Sequence, residues 1–252
     1  MTKRINPFKG GYASLSIAHL IAVGLATQIK YRNKAIADDV VHEHEVHSMN
    51  ISLLMSTNSM VEGFMEDLLL DKLKSFSFKK VLNRLGRYEH IREILDFEER
   101  FTVELFRNIE NESWEKMKKS FMLIFGQSIE AFIEPEIKDN MEIQFKMRNI
   151  LSHGNTIMAQ YGDNNVDMIM KNKFAPIYKY LSKPEINLIE ETNPRNIKFN
   201  RLFQSNVTDH FIRNSVHFII QLLSNLGHTE GNSRPFIILK NLESTKELFG
   251  ME

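Results

Sequence analysis

The segment from Lys146 to Asn155 places an arginine, an asparagine and a histidine at the end of an amphipathic helix. Its apolar residues recur at the spacing of one helical face: Ile143, Met147, Ile150 and Leu151. The closing Gly154-Asn155 pair predicts the end of this helix, because both residue types tolerate a left-handed backbone. Six prolines and eleven glycines in 252 residues leave room for other long helices. An all-α fold is therefore expected.

The polar residues at the end of this helix point in different directions. Asn149 lies four residues before His153, so the two share a helical face and can touch. Arg148 and His153 are five residues apart, and at about 100° per residue they do not share a face. One chain alone therefore brings the arginine and the histidine together poorly.

Two parts of the sequence carry a family resemblance. The Arg-Asn-x-x-x-His pattern from Arg148 to His153 resembles the Arg-x4-His signature of the HEPN superfamily. Ser56-Thr-Asn58-Ser59-Met-Val-Glu62 resembles an early helix of that superfamily, in which small polar residues precede a glutamate. The resemblance implies an antiparallel helical bundle over residues 36–226. Residues 1–35 would then be an arm with an extra apolar helix, and residues 227–252 a short C-terminal appendage.

The resemblance implies a metal-independent endoribonuclease of toxin or defence type, without a cofactor. Cleavage through the RNA 2′-hydroxyl needs an acid or base and a positive charge beside the phosphate. His153 suits the first role because imidazole titrates near neutral pH, and Arg148 suits the second because it stays charged. Asn149 can orient the imidazole. Three further residues are expected to support the site: Glu62, Ser152 and Asn155.

The partners expected from this interpretation are RNA and a second copy of the chain, since a two-fold dimer would bring two arginines and two histidines to one cleft. An antitoxin or defence protein is a further expected partner. HEPN toxins paired with a nucleotidyltransferase often carry a tyrosine two residues after the motif histidine, where this chain has Asn155. That difference argues against such a pairing. The alternative function is a non-catalytic HEPN dimer that binds RNA or a partner protein.

Charge is patterned locally, although the formal net charge is zero. Residues 72–92 contain seven basic residues and one acid, and residues 93–115 are mainly acidic. Such alternation is commonly a solvated helix face beside its neighbour, and the alternative is a surface that follows a phosphate backbone. The candidate RNA-binding residues are Lys79, Lys80, Arg84, Arg87 and Lys146.

Two histidine-containing patterns offer weaker alternatives. His42, His44 and His47 could approach a metal ion, but such a cluster is more often a solvated helix face, and no metal site is expected. Arg213 and His217 lie four residues apart within a helical pattern. They are interpreted as structural residues or as flanking phosphate contacts.

Composition limits the compartment and the membrane interpretation. The chain has no cysteine, which excludes disulfides and thiolate chemistry and agrees with a cytoplasmic location. Residues 12–29 are apolar but short for a membrane span, so a buried or partner-packing helix is favoured over a membrane anchor.

Periodicity predicts most of the remaining elements. Helices are expected over residues 35–75, as one or two, and over 76–95, 97–109, 115–133, 141–153 and 202–226. Residues 166–181 are ambiguous. Short strands are expected at 186–189 and 235–239.

Overall fold

The computed structural model describes residues 17–75, 113–152, 159–161, 168–170, 174–181, 183, 186, 203–227 and 234–243. Helices dominate this part of the chain, which confirms the all-α class. They are α1 (Ile17–Ala37), α2 (Glu43–Ser75), α3 (Trp114–Phe125), α4 (Pro135–Ser152), α5 (Phe174–Leu181), α6 (Ser205–Asn225) and α7 (Arg234–Glu243). The predicted helices at 76–95 and 97–109 lie outside the described residues, as does the predicted strand at 186–189 apart from Ile186.

The helix α2 is the centre of the bundle, with contacts to α1, α3, α4, α6 and α7. Its 33 residues make it about 50 Å long. Its apolar core face is buried and consists of Leu53, Leu54, Val61, Phe64, Met65, Leu68, Leu69 and Leu73. The same apolar cluster includes Leu25 of α1 and Leu242 of α7. Helices from the three segments predicted from the sequence, residues 1–35, 36–226 and 227–252, therefore contribute to one core.

The break between α1 and α2 has a local cause. Asp39 follows the end of α1 with a φ of 52°, a left-handed conformation that aspartate tolerates better than most residues. Before α2, the backbone N–H of His42 donates to the Glu45 carboxylate at 2.7 Å, and this contact closes the helix N-terminus.

The apolar helix expected near the N-terminus is α1, and it is buried against α2. Ala18, Ala22, Leu25 and Ile29 are each at most 3% exposed and form its inward face. Among the described residues, no helix combines the length and the apolarity that a membrane span requires.

Three predicted boundaries are wrong, and two of the errors involve proline. The motif helix was expected to begin at residue 141, after a break at Pro135, but α4 begins at Pro135. Residues 235–239 were expected to form a strand, but they lie in α7, whose second residue is Pro235. Proline suits the first helical turn because its missing N–H would have no partner there. The helix predicted to continue to residue 133 ends at Phe125, where Gly126 adopts a left-handed φ of 76°.

The ambiguous stretch at 166–181 contains a strand and a helix. β1 (Ala159–Tyr161) and β2 (Met168–Met170) form a small antiparallel hairpin in which Gln160 pairs with Ile169. The helix α5 follows and packs against α4. Its Ile177 and Leu181 join a second apolar cluster with Met147 of α4.

The buried side chain of Arg32 joins three helices of the bundle. Arg32 of α1 is 1% exposed, and its guanidinium lies 2.7 Å from the carboxylate of Asp209 on α6. The same guanidinium donates to the Asn50 side chain of α2 at 2.9 Å. Asn50 in turn donates to the carbonyl of Phe203 at 2.7 Å. These contacts fix the start of α6 against α1 and α2.

Candidate functional site

The helix α4 directs Arg148 inward. Asn140 and Gln144 are fully buried on α4, and Arg148 follows them at a further spacing of four residues. The three therefore form one line along the helix. Arg148 ends this line in the last turns of α4, where its side chain is 33% exposed. The guanidinium can therefore meet buried partners and still be reached from outside the protein.

The predicted apolar face beside this line is confirmed. Ile143, Met147 and Ile150 are buried, and Leu151 packs at the edge of their cluster. This face anchors α4 against α5 and α6, so the position of Arg148 is set by packing on both sides of the line.

Glu62 of α2 meets Arg148 of α4. The Nη2 of Arg148 donates to Oε2 of Glu62 at 3.1 Å, and the Glu62 side chain is only 17% exposed. The two residues are 86 positions apart in the sequence. The structure thus joins the glutamate of the early helix to the arginine of the motif, which are the two parts that carry the HEPN resemblance.

Burial dominates the electrostatics of Glu62. Removal from water raises the pKa of its carboxyl above the ordinary value of 4.5, and the positive charge of Arg148 offsets this only in part. Ionisation of Glu62 is therefore less favourable in the folded protein than in water, despite the salt bridge to Arg148.

The polar residues at the end of α4 are exposed and bond among themselves. Arg148 also donates from Nη1 to the Oδ1 of Asn149 at 3.2 Å. The hydroxyl of Ser152 donates to the Asn149 carbonyl at 3.2 Å. His153 and Asn155 lie outside the described residues, so the expected contact between Asn149 and the imidazole stays a prediction.

Of the five candidate RNA-binding residues, the structure describes one. Lys146 is exposed on α4, two residues before Arg148. The other four lie outside the described residues: Lys79, Lys80, Arg84 and Arg87. The structure therefore brings together Glu62, Arg148 and Asn149 and does not locate the basic block relative to them.

A buried polar cluster nearer the start of α4 was not predicted from the sequence. Asn140 donates to the hydroxyl of Tyr180 at 3.0 Å and lies 2.9 Å from Nε2 of His210. Gln144 accepts from the hydroxyl of Ser215 at 2.9 Å. The available signal was the spacing of Asn140, Gln144 and Arg148, but a search for apolar periodicity ignores polar residues. This cluster joins α4 to α5 and α6.

The histidines at 42, 44 and 47 and the pair Arg213 and His217 all lie on or beside described helices. Nε2 of His47 lies 3.7 Å from a carboxylate oxygen of Glu43, and the rings of His44 and His47 are 6.3 Å apart. Within the described parts of the chain, no three potential metal ligands converge. His217 is exposed and Arg213 is half-buried on α6.

Comparison with protein-family models, with curated proteins and with solved structures found no match. The HEPN resemblance therefore rests on the residues of this chain and on the contact between Glu62 and Arg148.

Proposed function

We propose that the protein is a cytoplasmic, metal-independent endoribonuclease of toxin or defence type. The observation that carries this proposal is the 3.1 Å contact between Glu62 and Arg148. It unites two parts of the HEPN-like pattern that are distant in sequence. It also leaves the arginine partly exposed, five residues before the motif histidine in the sequence.

The proposed chemistry is attack of the RNA 2′-hydroxyl on the adjacent phosphate. His153 transfers a proton, either from the attacking hydroxyl or to the leaving 5′-oxygen. Arg148 binds the phosphate and stabilises the negative charge that grows on it, since guanidinium offers several donors in one plane. The products are a 2′,3′-cyclic phosphate and a 5′-hydroxyl end.

The proposed active form is a homodimer. Arg148 belongs to the inward line of α4, whereas a residue five positions later faces elsewhere on a helix. A second chain related by two-fold symmetry supplies the missing partners to a shared cleft. RNA is the proposed substrate, and an antitoxin or defence protein is the proposed regulator.

The test is incubation of RNA with the wild type and with His153→Ala, both in EDTA. We expect the wild type to cleave and the variant to lose about 10²–10⁴ in rate, the usual cost of removing a general acid or base. Asn149→Ala, four residues earlier in the sequence, is the comparison variant, and it should lose less if Asn149 only orients the imidazole. Abolition of wild-type cleavage by EDTA, or full activity of His153→Ala, would refute the proposal.

A non-catalytic HEPN dimer that binds RNA or a protein is the second candidate. The pairing of Arg148 with Glu62 favours it, because part of the arginine's charge is already neutralised within the chain. Binding of RNA by the wild type without any cleavage in the same assay would select this alternative.

A further inference from the structure

The contact that positions Arg148 also opposes its proposed ligand. Glu62 places a carboxylate oxygen 3.1 Å from Nη2 of Arg148. An RNA phosphate carries the same charge as that carboxylate and seeks the same N–H donors. Phosphate and carboxylate therefore compete for one guanidinium.

The carboxylate and a phosphate can bind the Arg148 guanidinium at the same time, through different N–H donors. A guanidinium has five N–H donors in a plane. Glu62 and Asn149 together accept from two of them at 3.1 and 3.2 Å. As far as the described residues go, the other donors can serve a phosphate. The carboxylate nevertheless stays close behind the guanidinium and reduces its attraction for an anion.

The surroundings keep the carboxylate in place. Glu62 is mostly buried on the central helix α2, between the fully buried residues Val61 and Phe64. The backbone that carries Glu62 is therefore held by core packing on α2. Arg148 is the more exposed partner and lies near the end of α4, so movement on ligand binding belongs to the arginine.

We propose that Glu62 sets the RNA affinity of the site by competing with phosphate for Arg148, while it aims the guanidinium. Glu62 is thus a positioning residue that weakens substrate binding. The inference rests on the proposed function, because it assumes that Arg148 binds RNA phosphate.

The experiment measures binding of a fluorescent 2′-O-methyl RNA oligonucleotide by anisotropy at about 0.15 M salt, where the Debye length is about 8 Å. This probe has no free 2′-hydroxyl, so binding is measured without cleavage. We expect Glu62→Gln to tighten binding about threefold to tenfold, because it removes a charge near the phosphate and keeps an oxygen that can accept from Arg148. A substitution that merely damages the structure does not produce a gain in affinity.

The control is Asp139→Asn, which removes one negative charge from the exposed side of α4. Asp139 lies nine residues before Arg148, or about 13 Å along the helix axis. We expect it to change the affinity by less than about twofold, because charges further apart than the Debye length are largely screened.

A double-mutant cycle with Arg148→Gln completes the test. The gain from Glu62→Gln should fall to the level of the control when Arg148 is absent. Equal affinities of wild type and Glu62→Gln, or an undiminished gain without Arg148, would overturn the inference and leave the proposed function standing. Failure of every variant to bind RNA would overturn both.

Thermal melting will show whether Glu62→Gln folds. If it does not, Glu62→Asp tests the same inference. Glu62→Asp shortens the side chain and draws the carboxylate away from Arg148. It should tighten binding by a smaller factor, and weaker binding than the wild type would contradict the competition.

Discussion

At the scale of single residues, Glu62 shows a carboxyl group whose ionised form is disfavoured by burial. Its pKa is raised because burial outweighs the attraction of Arg148. A carboxyl whose pKa is higher in the folded protein binds its proton more tightly there. Folding stability from this group is therefore greatest below the unfolded pKa and falls as the pH rises through the folded pKa.

This sign gives a prediction for Glu62→Gln. The variant should be more stable than the wild type at pH 7 and equally stable below about pH 4, where the carboxyl is protonated in both states. Denaturant melts of both proteins across that range will measure the difference, with Asp139→Asn as the exposed control. Lower stability of Glu62→Gln at pH 7 would mean that the ion pair outweighs burial.

The same residue shows what the sequence could and could not predict about the site. Glu62 and Arg148 were singled out by pattern, and the structure places them in contact. Asn140 and Gln144 were missed because polarity normally indicates exposure, whereas their partners are supplied by α5 and α6. Partners so distant in sequence cannot be identified from the sequence of α4 alone.

At the scale of elements, the pairing of α1 with α2 depends on Gly63. A Cβ added at Gly63 would lie 2.9 Å from the Cβ of Ala18, closer than real side-chain carbons approach. The two helices therefore pack tightly beside Glu62 because residue 63 has no side chain.

Two glycine substitutions should consequently have opposite effects. Gly63→Ala should destabilise the fold by about 1–3 kcal/mol, because overpacking exceeds the gain in helix propensity. Gly24→Ala in α1 should stabilise it by about 0.5–1 kcal/mol, because among the described residues no atom beyond the adjoining helical backbone lies within 4 Å of the added Cβ. Denaturant unfolding of both variants will show whether the signs differ, and Ala18→Gly should partly rescue Gly63→Ala. Equal effects at both positions would contradict the close packing.

Helix ends were harder to predict than helix faces. The apolar faces of α2, α4 and α6 follow from periodicity and are buried as expected. Pro135 was treated as a helix breaker and Pro235 as the start of a strand, yet each lies in the first turn of a helix. Proline can either end a helix or occupy its first turn. Inside a helix it leaves the carbonyl four residues earlier without a donor, whereas in the first turn no such bond is needed.

At the scale of the whole molecule, the contacts of Arg32 with Asp209 and Asn50 should contribute measurably to the free energy of unfolding. Arg32→Met leaves the buried Asn50 oxygen without its donor, whereas the Asp209 carboxylate is 34% exposed and can bind water, so the variant should cost about 1–3 kcal/mol. Asp209→Asn should cost more, about 3 kcal/mol, since it leaves the charge of Arg32, whose side chain is 1% exposed, without its counter-ion. Unfolding midpoints will rank the two variants, and a negligible loss in Arg32→Met would show that α1 and α6 are held by apolar packing alone.

The assembly that the proposed chemistry requires can be tested through its dependence on concentration. Arg148 continues a buried line of α4, and a residue five positions later lies on a different helical face, so each proposed cleft needs two chains. Light scattering should therefore report a dimer at micromolar concentration. Cleavage per chain should rise with protein concentration and reach a plateau once dimers dominate, because only paired chains contain a complete site. A protein that scatters as a monomer and yet cleaves RNA at full rate would show that one chain suffices. Arg148 and His153 would then have to converge through a bend of the chain after α4.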